Sequence, residues 1–402
     1  MAVGKDTFPV LPAIEGVRLG TAMAGIKTPG RRDLVVIEIA PGATVAGVFT
    51  RNAFCAAPVH VAKRHLALET PRYLLINTGN ANAGTGDLGM RDAEASCAEL
   101  GRLADVAGTA VLPFSTGVIG EPLPMQRLLA GLPDAIDSLD ADGWVAAAEG
   151  ILTTDTRPKG ATTRVEIGGE TVTISGISKG SGMIQPNMAT MLGFVATDAS
   201  IAQADLEAWL REGVARSFNC ITVDSDTSTN DACMLIATGH GPAVTTDADV
   251  ARFRAALDAL LVELAQAIIR DGEGATKFVT LEVSEAQSRQ EALDVAFTVA
   301  HSPLVKTALY ASDANWGRIL AAVGRAPVAD FDVDKVVIDL GEVRLVEHGG
   351  RADSYTEEAG SAVMAGEEIV IRIRLGRGEA AATVWTSDLS HEYVSINADY
   401  RS

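Results

Sequence analysis

A threonine stands at an unusual place in this sequence, between a glycine-rich loop and an apolar run. The loop reads KGSGMIQPNMA from Lys179 to Ala189, and Thr190 then opens the run TMLGFVA. A threonine at the edge of a strand is the plain interpretation of this pattern. The alternative is a nucleophile, because a cut directly before a threonine leaves a free α-amino group beside its own hydroxyl.

The chemistry of the second hypothesis is specific. An α-amino group has an ordinary pKa of about 7.7–8.0, so near neutral pH it can accept the hydroxyl proton and later return it to a leaving amine. Thr190 can make the cut itself, by an N to O acyl shift on the carbonyl of Ala189. The glycines and Pro186 of the preceding loop suit a strained turn that would promote this shift.

Two other short motifs suggest chemistry but lack the required context. GTGDLG, from Gly84 to Gly89, fits the dinucleotide pattern, yet the preceding strand pattern ends near Ile76 and no acidic residue follows the next strand. GISKG fits the hydrolase elbow with Ser178 as nucleophile, but that motif requires a helix after it, and here a proline and a strand pattern follow. We therefore disfavour nucleotide binding and serine hydrolysis.

A third motif, Val223–Asp231, resembles the start of a calcium-binding loop. Thr229 stands where that loop needs glycine, and Leu235 stands where it needs glutamate. A solvated or structural turn is the better interpretation.

The elements that must position these residues are strands with interspersed helices. Helical periodicity covers Arg91–Val106, Asp205–Phe218 and Asp247–Arg270, and we expect Asp247 to cap the last of these and DGEG to end it at Gly272. The strand patterns are DLVVIEIA, RYLLINTG, TAVLPFST, TRVEIGG with ETVTISGIS, MLGFVATD, KFVTLEVS, FDVDKVVIDL, EEIVIRIRL and AAATVWTSDL. Without strict alternation of strand and helix, the order predicts a mixed α/β (α+β) fold of layered mixed sheets flanked by helices.

Composition narrows the function classes. The 402 residues carry a formal charge of −19 with no cluster of Lys or Arg, which disfavours nucleic acid and membrane surfaces as partners. The N-terminal segment has no signal-peptide pattern, and we expect a cytoplasmic protein. The spacing of the four cysteines and six histidines predicts neither a disulfide framework nor a metal site.

Longer motifs resemble one known family, the ornithine acetyltransferases, which are self-processing glutamate N-acetyltransferases of arginine biosynthesis. The segment QPNMATMLGFVATDA resembles the cleavage site of that family, whose nucleophile is the threonine of A-T-M-L. The resemblance spans nearly the whole chain. It includes VFTRNAFCAAPV, LINTGNANAGTG, PFSTGVIGEPLP, TTDTRPK, DGEGATK, SPLVKTALYASDANWGRI and the C-terminal YVSINADYRS.

The resemblance implies roles for individual residues. Thr116 and Gly117, from the S-T-G segment, would form the oxyanion hole, although a plain strand-to-turn segment is the alternative. The implied substrate-binding residues are Thr153, Lys179, Thr190, Glu273, Asn397 and Ser402. From charge alone we expect Lys179 to neutralise a substrate carboxylate and Glu273 to receive the ornithine amine, with surface charges as the alternative.

One residue departs from the family pattern. Ala311 stands where the family has glycine, which bears on the backbone path near Asp313.

The resemblance also implies a reaction and an assembly. Acetyl would move from N-acetyl-L-ornithine to L-glutamate through an acetyl-threonine, with no cofactor, and acetyl-CoA stays open as a co-substrate. Self-cleavage between Ala189 and Thr190 would give an alpha chain of residues 1–189 and a beta chain of residues 190–402, intertwined in one fold of the N-terminal-threonine nucleophile type. Two alpha and two beta chains would form a heterotetramer. An aminopeptidase or amidase on the same fold, and an unprocessed binding protein, are the alternatives.

Overall fold

Three mixed sheets flanked by helices organise the chain in a computed structural model that describes residues 2–4, 7–185 and 191–399. The predicted class, mixed α/β with layered mixed sheets, is confirmed. Thr190, Ala189 and Ser402, which the sequence analysis singled out, lie outside the described residues.

Within the described ranges, sixteen strands are present. They are β1 Val17–Ala22, β2 Leu34–Ile39, β3 Thr44–Phe49, β4 Tyr73–Asn80, β5 Val111–Val118, β6 Lys159–Ile167, β7 Glu170–Lys179, β8 Leu192–Thr197, β9 Ile221–Thr222, β10 Ala232–Ala237, β11 Phe278–Ala286, β12 Val337–Leu340, β13 Val343–Glu347, β14 Gly350–Arg351, β15 Glu368–Arg374 and β16 Ala380–Ser387.

The same ranges hold eleven α-helices. They are α1 Ala57–Leu68, α2 Gly86–Leu103, α3 Met125–Asp137, α4 Trp144–Gly150, α5 Gln203–Arg216, α6 Asp247–Arg270, α7 Arg289–Ala300, α8 Pro303–Tyr310, α9 Trp316–Gly324, α10 Glu357–Met364 and α11 His391–Ala398.

The first two sheets lie face to face. Strand order is β1-β2-β4-β5 in the first and β3-β10-β8-β7-β6 in the second, and β4–β5 and β10–β8 are the parallel pairs. Phe114 of β5 meets Phe194 of β8 between the sheets, with ring centroids 5.2 Å apart in an edge-to-face arrangement. Burying each ring stabilises the fold by about 1.5–3 kcal/mol.

Helices cover the outer faces of this pair of sheets. Helices α2 and α3 pack on the first sheet, and α5 and α6 pack on the second. The result is a four-layer helix–sheet–sheet–helix arrangement. The third sheet, ordered β14-β13-β12-β15-β11-β16-β9, has its own core with α7, α9 and α10.

Strand β8 begins directly after the candidate cleavage segment. All six of its residues are buried, as a continuous apolar run predicts for a central strand covered on both faces. Its first residue, Leu192, pairs with Lys179 at the end of β7. This register brings the chain that follows Thr190 beside Lys179.

The three predicted helices are present, and the ends of α2 and α5 are shifted from the predicted ones. Helix α6 has the predicted bounds, but its N-cap is Thr246, whose hydroxyl accepts from the amide of Asp249, so the capping role expected of Asp247 was wrong. Arg270 is its last residue, two residues before the predicted stop at Gly272.

Two remaining features bear on the sequence analysis. Ala311 has φ −73°, a right-handed conformation that alanine adopts freely, so its difference from the family's glycine causes no strain. Among the described residues, no helix is long and apolar enough to cross a membrane.

Candidate active site

One cavity of about 280 Å³ gathers residues that are far apart in the sequence. Its walls come from the ends of β5 and β7, the start of β8, the segment after α6 and helix α11. The sequence-predicted residues on these walls are Thr116, Gly117, Thr153, Lys179, Glu273 and Asn397. Met191, which directly follows Thr190 in the chain, lines the same cavity.

The Thr116–Gly117 turn is fixed by a close approach of two strands. Gly117 has φ +137°, and a Cβ at this position would lie 2.5 Å from the amide nitrogen of Asn80 on β4. Only glycine fits this approach, because any side chain would collide with the neighbouring backbone. Asn230 also holds the backbone next to this turn, because its side-chain amide donates to the carbonyls of Ala81 and Ser115 at 2.6 and 2.9 Å.

Lys179 is a buried cation that joins two predicted site residues. Its Nζ donates to the hydroxyl of Thr153 at 2.7 Å and to that of Thr116 at 3.1 Å. An ammonium group cannot accept, so the Thr116 oxygen is the acceptor here and its own proton is left for another partner. The Thr116 hydroxyl is therefore held in place by Lys179, and its proton can be donated to an oxyanion.

The surroundings of Lys179 act on its protonation in opposite directions. Burial lowers the pKa of its ammonium group, and repulsion from Lys159 adds to this, while the Asp155 carboxylate offsets part of the shift. Asp155 Oδ2 lies 3.9 Å from Nζ. The expectation that Lys179 could be a surface charge is wrong, since the residue is 8% exposed.

Asp155 anchors the backbone around this lysine. Its carboxylate accepts from the amides of Thr153 and Gly180 at 3.0 and 2.7 Å and from Lys159 Nζ at 2.7 Å. Burial opposes the charge, yet Lys159 and Lys179 hold the pKa of Asp155 well below its usual range. The carboxylate stays ionised and fixes both segments that carry Thr153 and Lys179.

Lys159 links this group to a second carboxylate. Its Nζ also lies 2.5 Å from Asp271 Oδ2, and all three side chains are almost fully buried. Asp271 in turn accepts from the amide of Thr156 at 3.0 Å. We name Asp155, Lys159, Asp271 and Lys179 the buried ion cluster; its two carboxylates and two ammonium groups balance in charge.

Glu273 supplies a negative charge on the opposite wall. Its Oε2 accepts from the side-chain amide of Asn397 on α11 at 2.7 Å, and its own amide donates to Ser181 O at 2.9 Å. A Cβ on Gly182 would lie 2.5 Å from Glu273 Oε1, so the carboxylate packs directly against that glycine. Glu273 is 7% exposed and is not the surface charge considered from the sequence.

The three competing motifs have structural roles. Ser178 is buried within β7 with its Oγ 3.4 Å from Leu264 O, and the next element in the described part of the chain is strand β8. The dinucleotide-like segment Gly84–Gly89 covers the end of the five-residue loop between β4 and α2 and the start of α2, and none of its residues lines the cavity. Asp224 accepts from the amides of Met183 and Ile184 at 2.6 and 2.8 Å, so the calcium-like segment is a structural turn.

Several site residues were missed from the sequence. Asp155 and Lys159 lie in TTDTRPK and Asp271 lies in DGEGATK, but nothing in a single sequence pairs positions more than 100 residues apart. Asn230 and Asp231, which line the cavity, fell in the motif assessed only for calcium. Among the described residues, no group of three or more His, Cys, Asp or Glu side chains is arranged to hold a metal ion.

Comparison with known proteins gives consistent matches along the chain. The ArgJ family matches residues 18–402. The arginine biosynthesis bifunctional proteins ArgJ of Pseudomonas syringae pathovar tomato and Pseudomonas fluorescens are 58% and 57% identical to this chain, and both alignments cover 100% of each protein. Among solved structures, the ArgJ protein of Bacillus halodurans is 38% identical, covering 51% of this chain and 97% of that one, with a TM-score of 0.49.

Proposed function

The chain belongs to the ArgJ family of arginine-biosynthesis enzymes, and we propose that it moves an acetyl group from N-acetyl-L-ornithine to L-glutamate through an acetyl-threonine at Thr190. Family membership confirms the sequence-based prediction of an acyltransferase of arginine biosynthesis that acts on small-molecule substrates. The aminopeptidase or amidase alternative is not favoured by these matches.

One observation carries the proposal. Six predicted residues from five separate segments of the chain line a single cavity, and Met191, which is bonded to Thr190, lies in its wall. A merely structural origin of the motifs would give no reason for them to meet around one space. The cavity has the size and the few convergent polar groups that a small-molecule site needs.

The proposed reaction begins with attack of the Thr190 hydroxyl oxygen on the acetyl carbonyl carbon of N-acetylornithine. The α-amino group of Thr190 takes the hydroxyl proton as the new C–O bond forms. The carbonyl oxygen becomes an oxyanion that accepts from the Thr116 hydroxyl and the Gly117 amide. When the C–N bond breaks, the proton passes to the departing ornithine amine and the acetyl group stays on Thr190.

The second half of the reaction runs the same steps in reverse. The amine of glutamate attacks the acetyl-threonine carbonyl, the oxyanion forms again, and the Thr190 oxygen leaves with its proton returned. The acyl-enzyme conserves the activated acetyl group, so the transfer needs no cofactor. We keep acetyl-CoA as a further acetyl donor that this acyl-enzyme chemistry would accept.

The contacts of Lys179 support a role for this residue that differs from the one expected from the sequence. Its ammonium group donates to Thr116 and Thr153, so we assign it to orienting the Thr116 hydroxyl and to positive potential at the oxyanion, in place of the carboxylate contact expected earlier. Glu273 keeps the assignment to the ornithine ammonium, and Asn397 holds that carboxylate in place.

We further propose self-cleavage between Ala189 and Thr190 into alpha chain 1–189 and beta chain 190–402. The ladder between β7 and β8 supports lasting association of the two chains, because it joins strands on either side of the cut within one sheet. Two alpha and two beta chains would form the heterotetramer. A cytoplasmic location accords with the four free cysteines, which suit a reducing compartment.

The proposal is tested by intact-mass measurement of the fragment that begins at Thr190. Brief incubation with N-acetylornithine should add one acetyl group, and later addition of glutamate should remove it and yield N-acetylglutamate. Ser178→Ala is the matched control and should still form the adduct. Absence of an adduct in the wild type contradicts the mechanism, and loss of the acetyl group to water at the same rate without glutamate favours an amidase.

A further inference from the structure

The segment Val223–Asp231, which joins β9 to β10, lies between two contacts with the chain on either side of the proposed cut. At its start, the amide of Val223 donates to the carbonyl of Ile184, before the cut, at 2.7 Å. At its end, the amide of Ala232, the first residue of β10, donates to the carbonyl of Met191, after the cut, at 3.0 Å. Backbone hydrogen bonds at the two ends of one short segment thus hold the chain before and after the proposed cut.

Asp224 adds a side-chain contact to the chain before the cut. Its Oδ2 accepts from the amide of Met183 at 2.6 Å, and its Oδ1 accepts from the amide of Ile184 at 2.8 Å. Two successive backbone amides thus point at the two oxygens of one carboxylate, an arrangement that favours an anionic acceptor. The hydroxyl of Tyr393 on α11 also donates to Oδ2, at 3.3 Å. These bonds fix the position of the Asp224 carboxylate against the loop that leads to the cut.

The backbone that Asp224 holds is in an unfavourable conformation. Met183 has φ +55°, in the left-handed region that residues with a side chain seldom adopt. Such a conformation persists only where surrounding contacts enforce it. Met183 and Ile184 also line the cavity that contains Thr116 and Gly117. Asp224 therefore holds a strained turn in the wall of the candidate active site.

Self-cleavage requires accurate placement of the two residues at the cut. The hydroxyl oxygen of Thr190 bonds to the carbonyl carbon of Ala189, the C–N bond breaks, and the hydroxyl proton ends on the freed amine. Water then hydrolyses the ester. Attack within one chain is fast only when the reacting atoms are held close and aligned. Contacts on both sides of the bond restrict the chain between them, and Asp224 is a contact that substitution can remove, since Val223 and Ala232 act through their backbone.

We propose that Asp224 is a positioning residue for self-cleavage, which holds Met183 and Ile184 so that the carbonyl of Ala189 is placed for attack by Thr190. The proposal rests on the self-cleavage proposed above, and it gives a role to the segment that resembles a calcium-binding loop. A purely structural residue would affect the cleavage rate only through stability, whereas a positioning residue controls that rate beyond its effect on stability.

The rate of self-cleavage tests this role. The full chain is synthesised in a cell-free system with a brief radioactive label, and loss of the full-length band is followed on denaturing gels. Asp224→Asn should slow the cut about 10- to 100-fold, because the side-chain amide has one acceptor oxygen and its NH2 group would face a backbone donor. Asp224→Glu keeps both acceptor oxygens but moves them by one methylene, so its rate should be intermediate.

Asp198→Asn is the matched control. Asp198 is also a half-buried carboxylate, and it accepts from the amide of Thr173 at 2.9 Å. It follows β8 at the end of the strand away from Thr190, so Asp198→Asn should be cut at the wild-type rate. Urea midpoints, measured in the uncleaved Thr190→Ala chain, give the stability that each substitution removes.

Slower cleavage of Asp224→Asn than of Asp198→Asn at similar midpoints supports the positioning role. Equal rates in these two variants, whether fast or slow, would overturn it. If the Asp224→Asn chain does not fold, Asp224→Glu decides, and a rate equal to that of Asp198→Asn would count against the role. A wild-type chain that is never cut would instead contradict the proposed self-cleavage.

Discussion

Lys159 and Asp271 join two distant parts of the chain, with the ammonium nitrogen 2.5 Å from a carboxylate oxygen. Lys159 begins β6, and Asp271 follows the last residue of α6, two residues before Glu273. The same ammonium group lies 2.7 Å from Asp155, which fixes the amides of Thr153 and Gly180. One buried cation thus connects both walls of the cavity.

Replacing Lys159 by methionine should destabilise the protein strongly. The change leaves the carboxylates of Asp155 and Asp271 buried without their shared cation, and loss of one partner of a buried ion pair costs about 3–5 kcal/mol. The urea midpoint, measured at pH 7, should fall accordingly.

An exposed ion pair provides the matched control. Arg64 and Glu94 are 2.6 Å apart with each side chain 47% exposed, so Arg64→Met should change the stability by less than about 1 kcal/mol. Adding Asp271→Asn to Lys159→Met should recover part of the loss, since one uncompensated charge disappears. A wild-type midpoint for Lys159→Met would show that the buried ion cluster is not what holds the two walls together.

Asp155→Asn should move the alkaline limb of the pH–rate profile to lower pH. Burial already lowers the pKa of Lys179, and Asp155 opposes that shift, so removing the carboxylate charge lowers this pKa further. Lys179 assists the oxyanion only while protonated, and that assistance is lost as pH rises through its pKa. The acid limb, which the Thr190 α-amino group would set, should stay in place.

This profile is measured as kcat against pH for fully processed enzyme. Asp226→Asn, at an exposed carboxylate in the structural turn, is the control and should leave both limbs unchanged. An alkaline limb that stays fixed in Asp155→Asn would mean that the protonation of Lys179 does not govern turnover.

Long, strongly periodic segments of the fold were predictable from the sequence. The buried run of β8 and the helix Asp247–Arg270 appear as expected, because each carries a pattern of burial that local residues determine. Short elements were missed. Strand β10 reads ACMLIA, an apolar run too brief to distinguish strand from helix, and its pairing with β3 and β8 is a tertiary property.

Some residues of the candidate site were also predictable from the sequence, and others were not. The resemblance to a known family led to Thr116, Lys179 and Glu273, while the chemistry of an N-terminal threonine led only to Thr190. The pairing of Lys159 with Asp271 could not be predicted, since it depends on how β6 packs beside α6. The exposure of Lys179 and Glu273 was also open to misjudgement, because a charged residue is expected at the surface unless its buried partners are known.

Thr116→Val should lower turnover while leaving the Michaelis constant nearly unchanged. The hydroxyl proton that Lys179 leaves available would serve an oxygen whose charge is large only in the transition state. By analogy with other oxyanion holes, kcat should fall by about 10²–10³. Thr116→Ser keeps the hydroxyl and should retain most of the activity.

The rates must be normalised to the processed fraction, because self-cleavage also passes through a tetrahedral oxyanion. Full turnover in processed Thr116→Val, or a loss confined to the Michaelis constant, would make Thr116 a binding or packing residue.

Thr190→Ala should abolish self-cleavage, so that a denaturing gel shows one full-length chain where the wild type shows two fragments. The hydroxyl is the only group in that residue able to attack the carbonyl of Ala189, and alanine removes it without adding bulk. N-terminal sequencing of the smaller wild-type components should identify Thr190 as a new first residue. Thr190→Ser, which keeps a hydroxyl, is the control and should still be cut.

Because β7 and β8 belong to one sheet, the wild-type fragments should elute together under native conditions. Cleavage of Thr190→Ala at the same bond would mean that another group performs the cut and that the proposed nucleophile is wrong.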